Sequence, residues 1–333
     1  MINRLYFSLF LVLILSACKK EKVEPVPQNA IASSYTFDIY NNLNSPLPNN
    51  TINELTIDMN GDLWLATNNG LAKYSAGSWS VFDSSTYTFP SSVFNCVRCD
   101  KLGNIWAGTN NGLLKFDGTT FTEFNTSNSA LPLNKIRSLA IDTNNVVWVG
   151  TFSGGGLARF DGLTWSAYTP ATSELPNNSV GALAIDNFNN VWIGTGGGLT
   201  KFDGTTWTTY FTGNSPLPNN SVYSIVFDGF NNLWVGTNGG LTKFDGISNW
   251  TTYNSSNSAL PINLVRPLIV FNGTTKWIGT EGMGISIFDD INWKTINSSN
   301  SNLPDLFINS IVRDLSGNQW IGTETGGLLK INS

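Results

Sequence analysis

The sequence predicts an all-β chain whose residues 35–333 fold as a single seven-bladed β-propeller of four-stranded blades. Three observations predict it. Trp64, Trp106, Trp148, Trp192, Trp234, Trp277 and Trp320 recur at separations of 42, 42, 44, 42, 43 and 43 residues, and a period of about 40–45 with four short strands per unit is that of a propeller blade. The last repeat stops short of its outer strand. A segment matching the missing strand stands in front of the first repeat instead.

One repeat shows how the period is filled. Residues 221–228 read as an inner strand, 229–232 as a turn, 233–237 as a second strand, 241–245 as a third and 250–253 as an outer strand. After Trp320 only residues 326–333 remain, enough for a third strand and no more. Phe37-Asp-Ile-Tyr40 followed by Leu47-Pro-Asn-Asn50 has the spacing of Trp207-Thr-Thr-Tyr210 followed by Leu217-Pro-Asn-Asn220. The N-terminal strand is therefore expected to complete blade seven, which closes the ring and removes a sheet edge open to pairing with another chain. A stacked solenoid would carry polar caps at its ends, and the sequence has none.

Composition agrees. Hydrophobic residues make up 41% and charged residues 12% of 333, with 32 Gly and 13 Pro interspersed among short apolar runs, the profile of a turn-rich β chain. A net charge of −5 gives no basic stripe with which to displace counterions, so nucleic acid is not an expected partner.

Residues 1–17 read as a signal peptide, with Arg4 in the cationic region and an apolar run from Leu5 to Leu15 too short to span a bilayer. Leu15-Ser16-Ala17-Cys18 resembles the lipobox of bacterial lipoproteins, which implies lipidation of Cys18. Residues 18–34, containing Pro25 and Pro27, read as the lipidated Cys and a flexible tether. No later apolar run approaches a membrane span, so the mature chain is expected to meet the membrane through its lipid anchor alone. Lys19 and Lys20 lack the Asp that retains some lipoproteins at an inner membrane, which favours the outer membrane, on its periplasmic or cell-surface side.

Asn190-Val-Trp-Ile-Gly-Thr195, Gly197-Gly-Leu-Thr-Lys-Phe-Asp-Gly204 and Trp207-Thr-Thr-Tyr210 resemble the two-component regulator propeller repeat. So does the Leu217-Pro-Asn-Asn-Ser-Val222 that leads into the next blade. The resemblance covers residues 35–333 and implies the propeller fold. In that family such propellers often form the periplasmic half of hybrid sensor kinases, where paired propellers are implicated in sensing oligosaccharides. This chain shows one propeller and no spanning helix, kinase or immunoglobulin-like segment. The resemblance is therefore expected to carry the fold in a standalone lipoprotein form, without the signalling.

No catalytic apparatus, cofactor or metal site is expected. The chain has no His, which removes Ser/His/Asp and Cys/His nucleophile arrangements and His-based metal sites. Asp58, Asp100, Asp142, Asp186, Asp228 and Asp314 each stand six residues before their blade's Trp, and Asp117, Asp161, Asp203 and Asp245 lie in Phe-Asp-Gly turns. Such carboxylates are read as acceptors for turn N–H groups. Asp58-Met-Asn-Gly-Asp62 lacks the bidentate Glu of a calcium loop. Cys96 and Cys99 form a CxxC within an inner strand, where positions three apart face opposite sides, so they are expected as packed thiols and not as a disulfide or metal pair. All 12 Trp residues fall in repeat slots and are assigned to packing.

Function should show where the repeats disagree. The slot five residues before the inner-strand Asp, or its equivalent, holds Asn53, Asn95, Arg137, Gly181, Tyr223, Arg266 and Asn309, close to the mouth of the central channel. At the same end the loops between second and third strands vary, with Phe152-Ser153 inserted in blade three, Glu281-Gly-Met283 in blade six and Glu324-Thr325 in blade seven. Asn, Arg and Tyr around a concave mouth suit a hydroxyl-rich or anionic ligand, because Asn and Arg offer paired polar groups. The expected ligand-binding residues are Asn53, Asn95, Arg137, Tyr223, Arg266, Asn309, Phe152, Glu281 and Glu324. The leading expectation is an extracytoplasmic binding or sensing module for an oligosaccharide or similar polar ligand. A protein-interaction scaffold at the membrane surface comes next, and a lyase or hydrolase built on carboxylates such as Glu281 and Glu324 last.

Overall fold

The structure, a computed structural model, describes residues 35–332. The expected signal peptide, Cys18 and the expected tether lie outside the described residues. Twenty-eight strands form seven four-stranded antiparallel sheets arranged as blades in a ring. The inner strands are Ile52–Ile57, Phe94–Cys99, Ile136–Ile141, Val180–Ile185, Val222–Phe227, Val265–Phe271 and Ile308–Arg313, for blades one to seven in that order. Blade five follows the predicted grammar closely, with Leu233–Thr237, Gly240–Phe244 and Trp250–Tyr253 outside its inner strand. Among the described residues no helix is long and apolar enough to cross a membrane.

The repeated Asp and Trp are one device. Trp64, Trp106, Trp192, Trp234 and Trp320 donate Nε1–H to the Asp six residues earlier at 2.9, 2.9, 3.0, 3.0 and 2.9 Å, and Trp148 does so at 3.4 Å. The same carboxylates accept backbone N–H groups of the intervening turn, as Asp228 does from Phe230 and Asn232, both at 2.9 Å. Burial alone would raise the Asp228 carboxyl, but hydrogen bonds from Trp234, Asn232 and the turn outweigh it and hold the group below its ordinary value; Asp100 and Asp314 are lowered in the same way. Each of these six Trp residues thus sits buried with its one polar atom satisfied inside its own hairpin, and its ring is free to pack against the next blade.

The linkers between blades are equally regular. Leu47, Leu131, Leu175, Leu217, Leu260 and Leu303 are all buried, each plugging the seam between two sheets. The second Asn of the Leu-Pro-Asn-Asn motif accepts a backbone N–H from eight residues earlier, as in Asn220 from Thr212 at 2.8 Å. In blade four that earlier position is Pro170, which has no N–H to give. Asn178 Oδ1 is accordingly buried without a partner.

Blade six departs from the grammar. Phe271 takes the Asp slot, Lys276 replaces the aliphatic residue before Trp277, and Asp290 replaces a turn glycine at φ 77°. The three changes belong together. The Lys276 side chain is fully buried, pairs with Asp290 and lies 4.4 Å from the Trp234 ring centroid and 4.8 Å from that of Phe288.

The ring closes as expected. Thr36–Tyr40 pairs antiparallel with Leu328–Asn332, from Thr36 opposite Asn332 to Tyr40 opposite Leu328. Phe37 enters a cluster with Ile296, Leu303 and Ile331. Tyr40 reaches across the last seam, 6.0 Å from the Trp320 ring of blade seven and 5.7 and 6.1 Å from Tyr74 and Trp79 of blade one.

Cys96 and Cys99 are free thiols, the first buried. Cys96 stands opposite Gly108 in register, as Ser224 stands opposite Gly236 in blade five. A Cβ on Gly108 would come within 2.6 Å of Cys96 Sγ, so the slot accepts only a small side chain and Cys fills it by packing.

Candidate functional site

Every inner strand breaks register just after its first residue. In blades one to five and seven the break falls between Ile52 and Glu54, Phe94 and Cys96, Ile136 and Ser138, Val180 and Ala182, Val222 and Ser224, and Ile308 and Ser310. In blade six it falls between Val265 and Leu268. The residue left without a cross-strand partner is the variable slot: Asn53, Asn95, Arg137, Gly181, Tyr223, Arg266 (here with Pro267) and Asn309. A β-bulge releases one residue from the pleat and re-aims its side chain. Repeated seven times, it turns a side chain into the channel from every blade but the fourth, whose slot is Gly181. All seven slot residues line one cavity of about 590 Å³, together with Glu54, Arg98, Arg313 and Glu324.

In five blades the slot residue meets the residue fifteen positions later, which opens the loop after the second strand. Asn53 donates to Asn68 Oδ1 at 2.9 Å, Asn95 to Asn110 Oδ1 at 3.0 Å and Asn309 to Glu324 Oε2 at 2.8 Å. Arg266 holds Glu281 through Nε to Oε2 at 3.1 Å and Nη2 to Oε1 at 3.3 Å. The Arg137 guanidinium lies 5.9 Å from the Phe152 ring centroid. Phe152, Glu281 and Glu324, singled out as loop variations, are thus the partners of the slot. A constant spacing of fifteen residues joins the two rings and also marks Asn68, Asn110, Gly196 and Asn238 as members of the second one.

The roles of these residues divide. The second amide hydrogens of Asn53, Asn95 and Asn309 go to the carbonyls of Phe94, Ile136 and Ile52 in the next blade, at 2.7, 2.9 and 3.1 Å. With both hydrogens committed, these three Asn residues stitch blades together and have only an oxygen left for a ligand. Both oxygens of Glu281 are engaged by Arg266, and these two residues with Phe307, Asn309 and Glu324 line a second cavity of about 320 Å³. Deeper in the channel, Arg98 pairs with Glu54 at 2.7 Å, a contact absent from the sequence reading. The groups not consumed internally are Arg137 and the Tyr223 hydroxyl, neither of which has a hydrogen-bond partner among the described residues. Arg266 stacks over the Tyr223 ring at 5.2 Å. Enclosure by the channel wall, and then the positive charge of Arg266, hold the Arg137 guanidinium below its ordinary range although water reaches it.

Elsewhere the candidate chemistry is absorbed. Asp58 accepts the N–H groups of Asn60 and Asp62 at 2.9 and 3.0 Å, and Asp62 pairs with Lys73. The described residues contain no group of His, Cys, Asp and Glu side chains able to hold a metal ion.

Five stretches of the chain match the repeat described as two component regulator propeller: residues 46–69, 88–111, 130–153, 174–197 and 216–239. They are the linker, inner strand and second strand of blades one to five. No curated protein matches the chain. Among solved structures, the chain is similar to the extracellular domain of BT3049 from B. thetaiotaomicron, described as a hybrid two component system, at 23% identity and a TM-score of 0.76, over 90% of this chain and 42% of that one. It is also similar to a catalytically inactive His-to-Ala variant of virginiamycin B lyase from Staphylococcus aureus with quinupristin, at 13% identity and a TM-score of 0.71, over 90% and 100%. A third likeness is to PorZ of Porphyromonas gingivalis, a surface component of the type-IX secretion system, at 17% identity and a TM-score of 0.70, over 84% and 46%. The chain spans less than half the length of BT3049's extracellular domain and of PorZ.

Proposed function

From a propeller that carries two-component regulator repeats, we propose that this chain is an extracytoplasmic binding or sensing module, lipid-anchored through Cys18 at the outer membrane, that holds a polar ligand such as an oligosaccharide at its channel mouth. One observation carries the reading. Seven bulges converge on a single cavity of about 590 Å³, within the size range of ligand sites, and among the described residues the Arg137 guanidinium and the Tyr223 hydroxyl there have no hydrogen-bond partner. The likeness to an extracellular sensor domain supports the location. Binding ranks above catalysis for two reasons. The likeness to the lyase is to an enzyme that a His-to-Ala change inactivates, and this chain has no His; Glu281 has both oxygens bound by Arg266.

The test is a glycan array followed by titration of the full mature chain. The variant Arg137→Ala/Arg266→Ala should lose binding, and unchanged affinity would overturn the reading. A second reading, a protein-interaction scaffold, draws on exposed apolar side chains at the turns between inner and second strands: Met59, Leu102, Phe188, Phe230 and Leu315, each 63–78% exposed. Capture of one stoichiometric partner with no glycan bound would favour it.

A further inference from the structure

We infer that the ligand at the mouth is acidic, held by a carboxylate between Lys135 and Arg137, with the rest of the molecule lying across a gap at blade four. The inference rests on the channel-mouth reading above. The cationic end comes from the insertion in blade three. The Phe152 N–H donates to the Lys135 carbonyl at 2.9 Å, which brings its ring beside two cations. Lys135 Nζ lies 4.6 Å and the Arg137 guanidinium 5.9 Å from the ring centroid. An aromatic face attracts cations, and here it gathers two like charges that repel one another. Neither forms an ion pair with a carboxylate among the described residues.

The acids around the mouth are already placed elsewhere. Glu281 is bound by Arg266 and Glu54 by Arg98. Glu324 accepts from Asn309 in blade seven, three blades from blade three and so as far round as a seven-membered ring allows. The two cations are therefore left without an acid of their own beside the ring they share, and a carboxylate matches the planar donor fork of Arg137.

The gap lies next to it. Blade four is the one blade whose paired slots, Gly181 and Gly196, both lack side chains, so the ring of paired side chains is open there. The carbonyls of Phe94, Ile136, Val180 and Ile52 each receive a side-chain donor from the preceding blade, namely Asn53, Asn95, Ser138 and Asn309. Val222, like Val265 and Ile308, receives none, and in blade four the reason is the missing side chain: a Cβ on Gly181 would stand 3.0 Å from the Val222 oxygen. A ligand crossing the gap reaches this carbonyl with a hydroxyl and, beyond it, the ring and hydroxyl of Tyr223.

The experiment is calorimetric titration of the full mature chain with oligosaccharides bearing galacturonate, glucuronate or sialate, each matched to its carboxyl-reduced neutral form. The expected result is that at least one acidic form binds and its neutral form binds about tenfold or more weakly, with affinity falling as salt rises. Arg137→Gln and Lys135→Gln should each weaken the acidic form by a similar factor. Gly181→Val should block the gap for either form, with the thermal midpoint reporting that each variant is folded. Binding of acidic and neutral forms with equal affinity, or binding of the acid that survives both charge variants, overturns the acidic seat and leaves the channel-mouth reading standing. Binding of neither form, with no other glycan bound on the array, overturns both.

Discussion

Asp228→Ala tests the hairpin device that recurs around the ring. The substitution leaves Trp234 Nε1–H, on a fully buried residue, without the acceptor it has at 3.0 Å. An unsatisfied buried donor costs about 1–3 kcal/mol. The turn N–H groups of Phe230 and Asn232 lose their acceptor as well, but they lie nearer the surface and regain water, adding about 0.5–1 kcal/mol. The expected loss is about 1.5–4 kcal/mol for Asp228→Ala, and about half that for Asp228→Asn, which keeps one acceptor oxygen. Guanidinium unfolding of the full mature chain, followed by tryptophan emission, reads the difference. The acid limb gives an independent check. Asp228 is lowered from 3.8 in the folded chain, so its contribution is complete above that value and is lost as pH falls through the folded one. The gap between parent and Asp228→Ala should therefore narrow on acidification below about pH 4. A loss under about 0.5 kcal/mol, or a gap that is constant with pH, would refute the assignment of the Asp–Trp contact as structural.

Other predictions concern the seam and the packing. Burial, and then the contact with Tyr74, raise the Tyr40 hydroxyl to about 12. The unfolded chain ionises first, so folded-state stability should decline as pH rises from 10 towards 12, and Tyr40→Phe should flatten that decline in alkaline melts. Phe37→Ala empties a buried position in the closing strand and should cost about 3–5 kcal/mol by denaturant midpoint; a cost below about 1 would mean the seam is not well packed. Gly108→Ala would place a Cβ 2.4 Å from Ile136 Cγ2 and 2.6 Å from Cys96 Sγ, and should destabilise by about 1–3 kcal/mol. Pairing it with Cys96→Ala should recover part of that loss, since the contact with sulfur is removed.

The fold was legible because a propeller writes its period into the chain. Trp64 to Trp320 marked the blades, and the match of Phe37–Tyr40 to Trp207–Tyr210 was enough to place the closing strand. The variable slot was legible too, because the positions two and four residues after it are almost uniformly apolar while it varies, and Arg137, Tyr223 and Arg266 do line the channel. What could not be read was the cause and the bookkeeping of hydrogen bonds. A one-residue bulge flips the phase of alternation, but these bulges follow the first residue of each strand, too early for any pattern before them to announce why the slot turns inward. Asn53, Asn95 and Asn309 looked like ligand groups because their acceptors, the carbonyls of Phe94, Ile136 and Ile52, lie about 41 or 257 residues away and belong to backbone, which carries no side-chain signature. The Lys276–Asp290 pair was hidden for a similar reason. Each residue alone breaks a local rule, and only the fold brings the two exceptions together.

The ring's seam also sets an order of events. Asn332 Nδ2 donates to Asp38 across 294 residues of sequence, so the first strand to be synthesised is joined to the last. A chain that emerges N-terminus first has to keep Thr36–Tyr40 unpaired until Leu328–Asn332 has emerged, and closure of so long a loop makes the final step slow relative to folding within each hairpin. During that interval the strand can seat on the free edge of another molecule, exchanging closing strands between two copies. Local concentration of the folding chain, and not blade stability alone, then decides how much of the product is a monomer.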